Sequence, residues 1–190
     1  MAEPRVAAVV LAAGESRRFG GRKQLAVLDG RTLLEHVLER ADAAGLRPIV
    51  AVVPVWLTRP TSASNDLVWV RNGSPELGMS RSLQIGLAVL PDDVEAAVIL
   101  LGDQPGVRAE AIRALLAARG RGRIVASHAG GRSGPPVLLE RSAFDLVEAL
   151  DGDIGLRDVL AASREVVRVD VAEHAPDIDT RADLARLARE

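Results

Sequence analysis

The sequence predicts a three-layer α/β/α sandwich built on a mainly parallel sheet. Three observations carry that prediction. Apolar, β-branched runs such as residues 6–11 and 96–101 are continuous rather than alternating, as strands buried on both faces require. Segments with apolar residues at helical spacing lie between such runs. The two most suggestive polar loops follow residues 11 and 101 directly, at the strand ends where open α/β sheets bind ligands.

Taken in order, a first strand over 6–11 leads into a polar, glycine-bearing loop over 13–23. Leu33, Leu34, Val37, Leu38 and Ala41 share one helical face and predict a helix over 32–44, stopped by Gly45 and Pro48. Strands are expected at 49–53 and 67–70, with residues 54–66 a loop between them. A helix is expected over 83–90, a buried strand over 96–101, a helix over 109–118 and a strand over 123–126. Beyond this the pattern loosens. Residues 136–139 suit an antiparallel strand after a glycine- and proline-rich turn. Short helices are expected at 141–150 and 156–162, a last strand at 166–170 and a last helix at 181–189. The 190 residues show no composition break, repeat or linker, so one domain over 1–190 is expected.

Composition narrows the function. Apolar residues make up 48% and charged residues 26%, as in a soluble globular protein. A net charge of −2 argues against a broad nucleic-acid or membrane surface, yet allows a local positive pocket for a small anion. With two Trp, two Phe and no Tyr, base stacking on a nucleic-acid surface is not expected. The absence of cysteine excludes disulfides, thiolate catalysis and sulfur-ligated metal sites. The N-terminal apolar run is too short to span a bilayer and lacks a signal-peptide layout, so a cytoplasmic protein is expected.

The loop Leu11-Ala12-Ala13-Gly14-Glu15-Ser16-Arg17-Arg18-Phe19-Gly20-Gly21-Arg22-Lys23 combines small residues with four cations. Small residues let backbone N–H groups approach a polyphosphate, and arginine and lysine neutralise it. Its spacing fits neither G-x-G-x-x-G nor the P-loop pattern. Asp103, just beyond the buried strand in Gly102-Asp103-Gln104-Pro105, is placed either to hold Mg²⁺ against a triphosphate or to cap the following helix. Asp177-Ile178-Asp179-Thr180, with Asp183 beyond, reads as a helix cap, with Asp179 or Thr180 as N-cap. Asn72 and the segment 78–83, which carries Ser80 and Ser82, read as a helix start with free N–H groups. Of the three histidines, His36 belongs to the expected first helix, and none of the three has a metal-ligand spacing.

The order of residues over 11–23 resembles the signature L-A-[AG]-G-x-S-x-R-[MF]-G-x-x-K of the MobA-like nucleotidyltransferases. Gly-Asp-Gln-Pro at 102–105 and D-I-D-T-R-A-D-L at 177–184 resemble two further motifs of that family, in the same order, with Arg181 and Ala182 in place of the usual Pro-Glu. The resemblance implies a Rossmann-like, mainly parallel sheet of the nucleotide-diphospho-sugar transferase type. It implies that Leu11, Ala13 and Gly14 lie along the nucleotide, that Arg18 and Lys23 contact phosphates, and that Asn72 and Ser82 line the nucleoside pocket. It implies a Mg²⁺ site on Asp103 and Asp179, with Asp177 as the alternate ligand, and catalysis by Lys23, Arg18 and Asp103. It places Gly134 and Arg157 on the acceptor side, in segments similar to G-x-x-G-H-P and G-D-x-G-x-R; Pro135 stands where the first has His.

Ala-Ala-Gly at 12–14, Gly-Asp-Gln-Pro at 102–105 and Asp-Ile-Asp-Thr at 177–180 are most similar to the molybdenum cofactor cytidylyltransferase branch. That implies CTP rather than GTP as donor, a phosphorylated acceptor such as molybdopterin, and transient contact with a molybdoenzyme or its chaperone. A guanylyltransferase, a transferase for another phosphorylated metabolite and a nucleotide-binding regulator without turnover are the alternatives.

Overall fold

A computed structural model of the chain describes residues 5–60, 66–150, 156–163 and 165–189. Among these, seven strands form one sheet: β1 (Arg5–Leu11), β4 (Ile49–Pro54), β5 (Leu67–Asn72), β6 (Val94–Leu101), β7 (Ile124–Ala129), β8 (Arg132–Glu140) and β9 (Val166–Asp170). Two short strands, β2 (Val27–Leu28) and β3 (Arg31–Thr32), pair apart from it. The sheet order is β5-β4-β1-β6-β8-β7-β9. Only β8 runs against its neighbours; the remaining pairings are parallel. The carboxyl ends of β1, β4, β6, β7 and β9 therefore share one edge.

Helices cover both faces. On one, Leu83 and Leu87 of α2 (Met79–Ala88), Val147 of α4 (Phe144–Glu148) and Leu156, Val159 and Leu160 of α5 (Leu156–Ala162) pack with Val9, Leu11, Val52 and Ile99. On the other, Leu34, Val37 and Ala41 of α1 (Leu33–Ala43) and Ile112 and Leu115 of α3 (Ala109–Ala117) pack with Ala8, Val10, Ala51 and Val98. Consecutive residues of β1 thus alternate between two dry cores, which is why its sequence has no polar alternation. Each fully buried aliphatic side chain contributes about 1.5–3 kcal/mol. A third, smaller cluster of Phe19, Leu28, Leu33 and Ile178 lies under the first loop, and Leu184 of α6 (Arg181–Leu187) packs against it. No described helix is long and apolar enough to cross a membrane.

The structure departs from the sequence expectations in four places. Helix α2 begins at Met79, inside the segment 78–83 read as a helix start and four residues before the range 83–90, because Gly78 at φ 88° turns the chain into it. Strand β8 takes in the glycine- and proline-rich turn. Its prolines fall where the register against β7 shifts and before the pairing with β6 begins at Val137, so no ladder bond needs their missing N–H. Residues 141–150 divide into a 3-10 turn and a short α4. The β2–β3 hairpin was not expected; Asp29 and Gly30, both at positive φ, close it as a two-residue turn.

The close approach of α2 to the sheet depends on Gly86. A Cβ there would lie 2.4 Å from Val9 Cγ1 and 3.0 Å from Val52 Cγ2. Gly86→Ala should therefore destabilise the fold by about 1–3 kcal/mol through overpacking, against a helix-propensity gain of about 1 kcal/mol. Urea unfolding monitored by far-UV circular dichroism checks this, and a net gain in stability would contradict the packing.

Candidate active site

The site is built where β1 and β6 end. Gly102 lies so close to the first loop that a Cβ would stand 2.7 Å from Ala12 Cβ and 3.3 Å from the Leu11 carbonyl oxygen. Its N–H donates to that carbonyl at 2.9 Å. Asp103 follows immediately, and its own carbonyl accepts from Ile178 N–H at 3.0 Å. Because Ile178 is buried against Phe19, Leu28 and Leu33, that bond holds the C-terminal segment 177–179 beside both loops.

The first loop is shaped by Gln24, which is buried. Its amide nitrogen donates to the carbonyls of Ala12 at 3.0 Å and Gly14 at 2.7 Å, and its oxygen lies 3.3 Å from Ser16 Oγ. Ser16 is in the left-handed region at φ 57°, a strained position for a residue with a Cβ. Short 3-10 turns at Arg17–Phe19 and Lys23–Leu25 then bring the cations round. Lys23 Nζ lies 2.7 Å from Asp103 Oδ2 and 3.5 Å from Asp179 Oδ1. Arg18 pairs with Asp179 at 2.9 Å. The other two loop arginines face elsewhere: Arg17 pairs with Glu15 at 2.6 Å, and the Arg22 guanidinium lies over Trp56, 4.5 Å from the ring centroid.

Beside these charges opens a cleft of about 320 Å³, lined by Leu11, Ala13, Gly14, Met79, Ser82 and Asp103 among others. Asn72 is buried behind Ser82. Its Nδ2 donates to Ser82 Oγ at 3.0 Å, while its Oδ1 accepts from Ser74 N–H at 2.9 Å. Ser82 keeps its hydroxyl hydrogen to offer the cleft, and Asn72 acts through it.

Two carboxylates from distant parts of the chain converge on the single cation Lys23. Their hard oxygen donors also fit a divalent cation that shares its shell with phosphate and water oxygens. Among the described residues no three His, Cys, Asp or Glu side chains are grouped to hold a metal, so a site here rests on those two carboxylates. Asp177 accepts from Gln104 Nε2 at 2.9 Å. Its outer side meets solvent, yet desolvation by the cleft wall, and then the Asp103 and Asp179 carboxylates beside it, push its pKa above the usual aspartate value.

The expected residues divide accordingly. Leu11, Ala13, Gly14, Lys23, Ser82 and Asp103 line one cleft, Asp179 and Arg18 join it through the ion pairs Lys23–Asp179 and Arg18–Asp179, and Asn72 is one layer behind. Asp103 caps nothing, because α3 starts at Ala109 after Arg108. Thr180 caps α6, in a reciprocal box with Asp183 that leaves Asp179 free for Arg18 and Lys23. His36 Nε2 lies 2.8 Å from the Leu28 carbonyl and has a structural role. Gly134 stands apart, in β8 against His174. Residues 152–155 and the side chain of Arg157 lie outside the described residues. Sequence reasoning assigned no role to Gln24, Gln104 or Ile178. The first two follow Lys23 and Asp103 directly, a polar neighbour being the one signal that pointed to them.

A family model for the MobA-like NTP transferase domain matches residues 8–168. Rv0371c from Mycobacterium tuberculosis H37Rv superposes with a TM-score of 0.88, at 27% identity over 100% of both chains. The same protein in complex with manganese gives 0.81 at 26% identity over 98% of this chain and 99% of that one. Among curated relatives, the bifunctional protein GlmU of Albidiferax ferrireducens is 30% identical over 96% of this chain and 41% of its own length. The purine catabolism protein PucB of Bacillus subtilis strain 168 is 29% identical over 95% and 94%. The chain spans between 25% and 41% of the length of the first curated relatives it matches.

Removing the cation between Asp103 and Asp179 leaves like charges facing each other. Lys23→Met should cost about 1–3 kcal/mol, between the values for exposed and buried ion pairs. Millimolar Mg²⁺ or Mn²⁺ should raise the variant's Tm more than the wild type's, because the metal no longer competes with an ammonium. Equal shifts would argue against a shared cation position. Asp177→Asn should have the opposite sign. A carboxyl whose folded-state pKa is raised destabilises in its charged form, so the amide should raise Tm at pH 7. The gain should shrink as pH falls through the carboxylate range, as scanning calorimetry across pH would read.

Proposed function

The chain belongs to the MobA-like NTP transferase family, and from that premise we propose that it transfers CMP from CTP to a phosphorylated acceptor, molybdopterin foremost, with Mg²⁺ as cofactor. Nucleotidyl transfer is the coarse activity that membership carries; donor base, metal and acceptor are the finer steps proposed here. The observation that carries the transfer and its metal is the convergence of Lys23, Asp103 and Asp179 beside a glycine-bearing loop at the carboxyl edge of the sheet.

In this reading the nucleotide lies along Leu11, Ala13 and Gly14, with its base toward Ser82. Arg18 and Lys23 exchange their carboxylate partners for phosphate oxygens, Arg18 with a planar fork and Lys23 as a compact charge. Mg²⁺, held by Asp103 and Asp179 when bound, neutralises charge on the α-phosphoryl group and the leaving group. Manganese in Rv0371C supports use of a divalent ion. No general base is required, because a phosphate monoester has its second pKa at about 6 and is largely ionised near neutrality. An acceptor phosphate oxygen bonds to the α-phosphorus, the bond from α-phosphorus to the β-bridging oxygen breaks, and pyrophosphate leaves. Lys23 stabilises the charge that develops along this path. The preference for CTP rests on Ala12-Ala13-Gly14, and the choice of molybdopterin on the likeness of that stretch, of Gly-Asp-Gln-Pro at 102–105 and of Asp-Ile-Asp-Thr at 177–180 to the molybdenum cofactor cytidylyltransferase branch.

Pyrophosphate release with Mg²⁺ and each of the four NTPs, with and without molybdopterin, tests the reading. Release that needs both CTP and the pterin is expected, and Asp103→Asn should lower it by about 10²–10³-fold, the range for loss of one preorganised charge-stabilising group, while NTP binding persists. Dependence on GTP would overturn the base assignment. Full turnover by Asp103→Asn would overturn the metal assignment. Tight NTP binding without turnover across a wider acceptor panel would overturn transfer itself and favour a nucleotide-binding regulator.

A further inference from the structure

We propose that Arg22 and Trp56 form a latch that fixes the first loop to the sheet from outside and holds Lys23 in place when its carboxylate partners are given up. This rests on the reading above, in which Lys23 exchanges Asp103 and Asp179 for phosphate. Neither latch residue lines the nucleotide cleft, so both are positioning residues.

Trp56 is placed unlike the other aromatic residues. The chain has two Trp, two Phe and no Tyr. Phe144, Trp69 and Phe19 each belong to one of the three apolar clusters, and Trp56 to none. It is 37% exposed and lines a hollow of about 510 Å³ behind the loop, shared with Gly20, Gly21, Arg22 and Pro54. Its ring face is covered by the Arg22 guanidinium, 4.5 Å from the centroid. That separation suits the attraction between a cation and an aromatic face.

The sheet side of the latch is rigid. Pro54 ends β4 and is in register with Asn72 of β5. Leu57 N–H donates to the Pro54 carbonyl at 3.1 Å, which closes the turn that carries Trp56. Leu57 is buried in the second core, and its carbonyl accepts from Trp69 Nε1 at 3.2 Å.

The loop side needs such a post. Gly20, at φ 68°, and Gly21 precede Arg22, and a Cβ on Gly20 would meet nothing within 4 Å. Two successive glycines leave the backbone free to swing. Arg22, at φ −79° and ψ 83°, is the centre of an inverse γ-turn, with Lys23 N–H donating to the Gly21 carbonyl at 3.0 Å. Three consecutive side chains then reach three anchors: Arg22 to Trp56, Lys23 to Asp103, and Gln24 to the Ala12 and Gly14 carbonyls. On the far side of the glycines, the Arg181 guanidinium lies 5.5 Å from the Phe19 ring. Two of the three guanidinium–ring contacts among the described residues thus fasten this one loop.

When metal and phosphate take up the carboxylates and Lys23, the Lys23–Asp103 pair no longer fixes the backbone at 22–23. The Arg22–Trp56 contact involves neither group and persists. It spares the ligand the cost of ordering a long side chain on a glycine-hinged loop.

The test titrates tripolyphosphate with Mg²⁺ into the full chain by isothermal calorimetry, so it depends on neither base nor turnover. Trp56→Leu, which removes no charge, should weaken binding about fivefold, the scale of one exposed cation–ring contact. Arg22→Gln should weaken it at least as much, because it also removes a charge. Arg22→Gln/Trp56→Leu should bind no worse than Arg22→Gln alone, since the contact is already lost. Trp56→Phe should recover most of the affinity, and the urea midpoint of Trp56→Leu should match wild type. Without ligand, exchange of the Leu25 and Ala26 amides, which bond to the Arg22 and Lys23 carbonyls at 3.0 Å and 2.9 Å, should quicken in Trp56→Leu while β1 amides stay unchanged. Unchanged affinity in Trp56→Leu, additive losses in the double variant, or unaltered Leu25 and Ala26 exchange would each overturn the latch. Absence of tripolyphosphate binding in wild type would overturn the transfer reading, and the exchange rates would then decide the latch alone.

Discussion

Two carboxylates, Asp103 and Asp179, approach one another at the end of the sheet, and that approach is tolerable only with positive charge between them. Lys23 supplies it, at 2.7 Å and 3.5 Å. In a half-buried setting the attraction of such a group is stronger than at an exposed surface, and the penalty for an unbalanced charge is higher. The first loop, the β6 end and the C-terminal segment are therefore locked to each other by charge balance.

That arrangement is possible because the backbone beneath it is already rigid. Gly102 presses onto Leu11 and Ala12, Ile178 anchors to the Asp103 carbonyl, and both rest on strands buried on two faces. Gln24 fastens the loop from inside by bonding the Ala12 and Gly14 carbonyls, which holds Ser16 in its strained conformation. Polar groups so fastened need no reorganisation when charge develops on a ligand, which is the condition for electrostatic stabilisation of a transition state.

Much of the frame was legible in the sequence. The uninterrupted apolar runs at β1 and β6 could be satisfied only by burial on both faces, and the Leu33–Ala41 stripe only by a helix lying on one of them. The glycines, cations and aspartates of the site were legible as residue types, since each sits directly after a strand or before a helix. Asp103 does not cap α3, which starts at Ala109 as its apolar spacing predicted, with Arg108 in the cap position. The β8 extension was hidden because it depends on what lies alongside. Proline in a strand is acceptable at a register break that only the neighbouring strands create.

By itself, then, the sequence determined the layers, the parallel edge and the kinds of group that stand at it, because hydrophobic periodicity and loop composition are local properties of the chain. Tertiary structure alone decided which groups meet. That Lys23 lies between Asp103 and Asp179 and that Asn72 works through Ser82 are consequences of strand order and register. Those pairings join residues far apart along the chain, and no local pattern encodes a distance across a sheet.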